Sequence, residues 1–208
     1  MKLEINKTSF KDAIKFLEKD DILGKYVKNI EPPKININED YFFSLCRYII
    51  FQQLSIKSAS ATFSRFTCLL NNNISAEQVL KQTENKLKNT GMSLRKVKYL
   101  RILSQSFIDN SSFVGLNKMS NDDVIKTLSS IKGIGTWTSE MFLIFSMGRI
   151  DVFSNKDIGL LNALKIIYNF EVRPNFDEAD KLAKRWSPYR TIASLYLWKI
   201  LEGEDFDW

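Results

Sequence analysis

A glycine turn and a carboxylate downstream of it are the residues of this chain with the clearest chemistry. Gly133-Ile134-Gly135 sits inside Ile131-Lys132-Gly133-Ile134-Gly135-Thr136-Trp137-Thr138. Glycine admits positive φ and lets backbone N–H groups approach a ligand closely. At the start of a following helix those amides favour a phosphate. Taken alone, the pair equally describes an ordinary tight turn. Asp157 follows at an N-cap position, ahead of Ile158, Leu160, Leu161, Leu164 and Ile167. It is a cap on either reading. Its negative charge is also what a reaction through a sugar cation needs, to stabilise the developing charge or to orient an attacking water.

These groups require helices around them, and the pattern supplies helices. Ser120-Asn121-Asp122-Asp123 is a cap with an acidic first turn, and Val124, Ile125, Leu128 and Ile131 recur at helical spacing. Beyond the turn, Thr136 to Ser146 reads as a buried helix. Helix, Gly-x-Gly hairpin, helix is the local prediction. Phe10 to Lys19 is a short amphipathic helix, and Pro32-Pro33 with Asn36-Ile37-Asn38 makes an extended link. Glu39 to Gln53 reads as a largely buried helix, and Ser55 caps another running through Phe63, Phe66 and Leu70. Ser75 with Gln78 has a capping-box pattern, Thr83 to Asn89 is short, and Ser93 to Asp109 is long and basic at its start. Asp177 to Trp186 and Pro188 to Leu201 close the chain, the latter with Ser187 as cap and Pro188 in the first turn. Strand alternation is sparse and there is no internal repeat. The prediction is all-α.

Composition narrows the chemistry. The chain has 208 residues, a formal charge of +6, no histidine and two cysteines. A basic excess favours a polyanionic partner. The absence of histidine excludes a His-centred triad or a His-ligated metal. Cys46 and Cys68 lie in apolar helical patterns and are expected as buried free thiols, with no cysteine cluster for an iron–sulfur site. No apolar run reaches membrane-spanning length, and Met1-Lys2-Leu3-Glu4 lacks a signal-like core, so an intracellular soluble protein is expected.

The hairpin with its downstream Asp157 resembles the helix-hairpin-helix DNA glycosylase superfamily, and within it the 3-methyladenine-DNA glycosylase II branch. Three further segments agree. Gln52-Gln53-Leu54-Ser55 is similar to the branch's Gln-Gln-Leu-Ser, Gly91-Met92-Ser93-Leu94-Arg95-Lys96 resembles its Gly-Leu-Ser-x-x-Lys turn, and Trp186-Ser187-Pro188-Tyr189-Arg190 resembles its Trp-x-Pro-x-Arg helix start. The resemblance covers roughly residues 15 to 202. It implies an all-α, two-lobed helical bundle with the active-site cleft between lobes, one lobe of about 35–115 and the other of about 1–34 with 116–208. It implies a monomeric, monofunctional DNA repair hydrolase of the cytoplasm or nucleoid, or of the nucleus in a eukaryote. Such an enzyme flips alkylated purines from double-stranded DNA and leaves an abasic site.

The resemblance also assigns roles. Asp157 is the catalytic carboxylate; Trp137, Met141 and Tyr189 are the walls of the base pocket. Gln53, Leu54 and Ser55, with Lys132, Gly133, Ile134, Gly135 and Thr138, contact DNA. Leu54 either fills the gap left by the flipped base or packs between helices. Trp137 and Met141, four apart, suit an electron-poor base or form a core stripe; Phe142 and Phe145 are core. Arg190 is expected in a structural ion pair and Trp186 in the core. No cofactor is required, although carbonyls of Ser129, Ile131 and Ile134 are placed to hold Na+ or K+.

This chain departs from the family pattern at three positions. Lys132 and Ser154 replace frequent prolines, and Lys156 stands beside Asp157 where an acidic or apolar residue is common. In bifunctional relatives a lysine occupies the position of Trp137 and attacks the sugar; its absence implies hydrolysis without strand cleavage. Lys132 is a phosphate contact or a solvated loop charge, and Lys156 leaves open a lysine nucleophile. A glycosylase/lyase acting on oxidised purines and a catalytically silent DNA-binding module are the alternatives.

Overall fold

The computed structural model describes residue 5, residues 7–109, residue 113 and residues 115–203. Among them the chain forms twelve α-helices, and no strand is present. Contacts divide it into two compact units: a middle unit, Asn38–Phe142, and a terminal unit that joins Met1–Ile37 with Leu143–Trp208.

In the terminal unit α1 (Lys7–Leu17) and α2 (Leu23–Asn29) pack on the last helix, α12 (Arg190–Glu202). Helix α2 lies outside the predicted elements, because seven residues containing Gly24 carry little periodicity. The middle unit begins with α3 (Tyr41–Phe51), capped by the Asp40 carboxylate, and α4 (Ile56–Leu69), capped by Ser55. Helices α5 (Ala76–Lys81), α6 (Glu84–Lys88) and α7 (Leu94–Ile108) follow, with hydroxyl caps from Ser75, Thr83 and Ser93. Helix α7 packs against α3, α5 and α6, burying Val97, Leu100 and Leu103 completely. Helix α8 (Asn121–Ser129) is capped by Ser120 and leads through the glycine turn into α9 (Thr136–Phe145).

The division between units falls inside α9 rather than near residue 115 as expected. Residues 116–142 therefore go with the middle unit, held there by the Tyr99 ring beneath Gly133, the Gln52 side chain and an edge contact of Tyr41 with Phe142.

The terminal unit resumes with α10 (Ile158–Ile167), α11 (Phe176–Ala183) and α12 (Arg190–Glu202). Asn175 and Glu178 form the capping box that starts α11. Helix α12 starts two residues later than predicted, and Ser187 is not its cap. The Ser187 hydroxyl donates instead to Asp151 at 2.9 Å, in a cluster with Arg190. Cys46 is buried, and burial, then the nearby Asp40 charge, push its thiol pKa well up. Cys68 is exposed, because two residues along α4 from the fully buried Phe66 turns the side chain to the other side.

Candidate functional site

Within Asn38–Phe142 the glycine hairpin is built as a close backbone turn. Ile134 N–H donates to the Ile131 carbonyl at 3.0 Å, and Gly133 has φ of 104°, which an L side chain rarely adopts. A Cβ on Gly133 would also collide with the Tyr99 ring from α7. Gly135 does not have positive φ; it stands directly before α9, and its carbonyl accepts from Ser139 N–H and Oγ, both at 3.0 Å. Lys132 of the hairpin is exposed, while Ile131 and Ile134 are buried.

Thr138, expected on the DNA face, is only 2% exposed, and its hydroxyl accepts a 3.0 Å hydrogen bond from Gln52. It is a structural residue. The same Gln52 amide donates to the Gly133 carbonyl at 3.0 Å, tying the end of α3 to the hairpin. Met141 is fully buried, so it belongs to the core rather than to a surface that a base can touch. Trp137 is half-buried.

Gln53 and Leu54 form the turn between α3 and α4, and both are exposed. Leu54 keeps 42% of its surface accessible, which removes the interhelical packing alternative. Gln53 has φ of 57° without being glycine. That conformation costs about 1 kcal/mol and persists where neighbours enforce it. Two neighbours do so. The Lys96 ammonium donates at 2.7 Å to the carbonyls of both Ile50 and Gln52, and Arg95 donates to the Gln53 side-chain oxygen at 3.2 Å. Burial first, and then the Arg95 charge, lower the Lys96 pKa. The Ser55 hydroxyl is committed to capping, accepting from Ser58 N–H and donating to Ser58 Oγ. Beside the hairpin, Arg95, Lys98 and Lys132 line a cavity of about 350 Å³ together with Leu94, Tyr99 and Ile102.

In the terminal unit, Asp157 caps α10: its Oδ1 accepts Leu160 N–H at 2.8 Å. The Trp198 indole N–H of α12 donates to the same oxygen at 3.0 Å. Asp157 is 8% exposed and Trp198 2%. Gly159 makes that approach feasible. A Cβ there would lie 3.0 Å from Asp157 Oδ1 and 3.2 Å from Trp198 Cδ1. Near the carboxylate, burial and then the Asp157 charge raise the pKa of Glu202. Ser154 is buried and its carbonyl accepts Asp157 N–H at 3.1 Å, whereas Lys156 is exposed. Tyr189 is half-buried, edge-on to Phe16 with ring centroids 5.3 Å apart. Arg190 pairs with Asp151 through Nε at 2.7 Å and Nη2 at 3.0 Å, and Trp186 is fully buried, both as expected.

The sequence alone does not reveal Trp198, Gln52, Arg95 or Lys98 as participants. Gly159 does carry a signal, because a glycine in the first turn of an otherwise apolar helix sacrifices helix propensity and marks a close approach.

Residues 46–188 match the family described as HhH-GPD superfamily base excision DNA repair protein. The chain belongs to this superfamily. It is 31% identical over 188 residues to DNA-3-methyladenine glycosylase 1 of Schizosaccharomyces pombe, spanning 88% of this chain and 82% of that protein. Its fold is similar to that of the Schizosaccharomyces pombe 3-methyladenine DNA glycosylase solved with abasic DNA, with TM-score 0.84, 29% identity, and 95% and 100% of the two chains covered. It is likewise similar to a DNA-3-methyladenine glycosidase of Bacillus halodurans, with TM-score 0.80, 32% identity, and 98% and 93% covered. The resemblance seen in the hairpin, the Gln-Gln-Leu-Ser segment and Asp157 is thus a family relationship.

Proposed function

We propose that this protein is a monofunctional DNA repair glycosylase, which removes alkylated purines of the 3-methyladenine and 7-methylguanine type from double-stranded DNA and leaves an abasic site. The observation that carries the reading is the Asp157 carboxylate, fixed by a backbone and an indole donor on one oxygen. Its relatives bear the names DNA-3-methyladenine glycosylase and DNA-3-methyladenine glycosidase.

The chemistry follows from what each residue can do. The hairpin amides, with Arg95, Lys98 and Lys132, hold backbone phosphates. Leu54 enters the stack and takes the place of the extruded nucleotide. Trp137 in the middle unit and Tyr189 in the terminal unit each offer an aromatic face of the kind that attracts a methylated, electron-poor purine. Such a base already leaves readily, so Asp157 need only stabilise the positive charge that grows on the sugar as the bond breaks and orient the water that adds to it. No amine stands at the position of Trp137, so no Schiff base forms there. Neutral carbonyl oxygens suit a monovalent cation, and those of Ser129, Ile131 and Ile134 would hold one, adding positive charge to the phosphate-holding turn; the Ile131 oxygen already serves Ile134 N–H and has a second lone pair to offer.

Methylated duplex DNA tests this directly. Base release with strand breaks only after hot alkali is expected, whereas breaks without alkali or an imine trapped by borohydride through Lys156 would refute hydrolysis. Absence of release would favour the silent module. Asp157→Asn keeps an N-cap acceptor and should bind duplex normally while excision falls by at least about 100-fold.

A further inference from the structure

The strongest unexplained construction is the ring of polar contacts around Gln52, which lies within Asn38–Phe142. Its main chain ends α3, and its carbonyl, like that of Ile50, is gripped by Lys96 at 2.7 Å. Its side chain leaves in another direction, to the Gly133 carbonyl and the buried Thr138 hydroxyl, both at 3.0 Å. The next residue, Gln53, is in a left-handed conformation and is held by Arg95. The turn that carries Leu54 is therefore fastened on one side to the start of α7 and on the other to the glycine hairpin.

A side chain pushed into a base stack meets an opposing cost of a few kcal/mol. A freely hinged turn would yield before the duplex did. Packing alone would be served by an apolar residue at position 52, but the Gly133 carbonyl and Thr138 hydroxyl would then lose their donor. We propose that Gln52 and Lys96 are positioning residues that lock the Gln53-Leu54 turn to the phosphate-holding hairpin, so that gripping the backbone and inserting the wedge are one rigid event. This rests on reading Leu54 as the inserted residue.

The experiment uses the full chain and two duplexes. One carries an alkylated purine in a normal pair, and the other carries the same purine opposite an abasic site, where no pair has to be broken. A 2-aminopurine next to the lesion reports insertion independently of base release. Gln52→Met and Lys96→Met should slow single-turnover excision in the paired duplex by about ten-fold relative to the unpaired one, the equivalent of one or two net hydrogen bonds. The 2-aminopurine rise should shrink in parallel, and Lys96→Arg should restore both. Leu54→Ala should give the same selective defect. If Leu54→Ala is selective while Gln52→Met and Lys96→Met slow both duplexes equally, the lock is overturned and these residues serve only the fold. If Leu54→Ala is not selective, the wedge assignment fails first and takes the lock with it. If wild type releases no base yet 2-aminopurine shows the same pattern, glycosylase activity fails and the lock stands. Where Lys96→Met does not fold, the exposed Arg95→Met decides, with a smaller selective loss expected and an unchanged ratio refuting the lock.

Discussion

Gly159→Ala separates catalytic positioning from stability. A methyl group at this position would approach Asp157 Oδ1 to 3.0 Å and the Trp198 ring to 3.2 and 3.3 Å, inside the 3.4 Å at which ordinary contact begins. Neither neighbour is a flexible side-chain end, since Trp198 is buried and the carboxylate is pinned by Leu160 N–H. Relief requires a shift of a few tenths of an ångström, taken mainly from the 3.0 Å indole–carboxylate bond. A hydrogen bond to a charged acceptor contributes about 1.5–3 kcal/mol, and losing half of it costs roughly 1 kcal/mol. If that contact sets the carboxylate where sugar charge develops, excision slows by about five- to ten-fold. Stability moves little, because alanine adds up to about 1 kcal/mol of helix propensity against a strain of the same size. The expected change in Tm is within about 3 °C. Single-turnover excision on methylated duplex and a thermal melt are the two readouts. Wild-type excision by Gly159→Ala would show that the Trp198 contact does not govern the carboxylate. A large fall in Tm with a matching fall in activity would reduce Gly159 to a packing residue. Trp198→Phe, which removes the donor and keeps a ring, should reproduce the rate loss.

Three other expectations follow from the same structure. Burial opposes ionisation of Asp151, but Arg190 outweighs it through two short side-chain hydrogen bonds, its charge and its backbone N–H, with the Ser187 hydroxyl adding a fourth bond, so the folded pKa lies below the unfolded 3.8. The stabilisation this gives is fully present above pH 3.8 and is lost as pH falls through the lower folded value; in acid titrations Asp151→Asn should lack that part of the loss, and an identical acid limb would refute it. Removing Lys98 and Lys132 together should reduce the slope of log affinity against log salt by roughly 1.8, since each phosphate contact contributes about 0.9, and an unchanged slope would place both lysines off the DNA. The Tyr196 hydroxyl is buried with no hydrogen-bond partner among the described residues, and burial, then the charges of Glu18 and Glu31, push its pKa up to about 12. Tyr196→Phe should leave Tm unchanged or raise it by a few degrees in calorimetry, and a clear drop would reveal a partner for that hydroxyl.

What the sequence determined by itself is local. The caps at Ser55, Ser75, Ser120 and Asp157 could be read because a cap acts on an amide three residues away. The positive φ of Gly133 was legible for a similar reason, since conformational permission belongs to the residue itself. The all-α class followed from periodicity, and the order of motifs identified the family. Tertiary structure decided which side chains around those motifs are free to act. Thr138 and Met141 lie on the same helix as Trp137, yet they are buried, because exposure depends on what covers a face and not on spacing along it. Ser187 looked like a cap and became a partner of Asp151, 36 positions away. The Trp198 bond to Asp157 spans 41 positions and the Gln52 bond to Gly133 spans 81. Contacts at such separations arise only when helices have packed, so a single sequence holds the carboxylate and the turn, and folding supplies the donors that fix them.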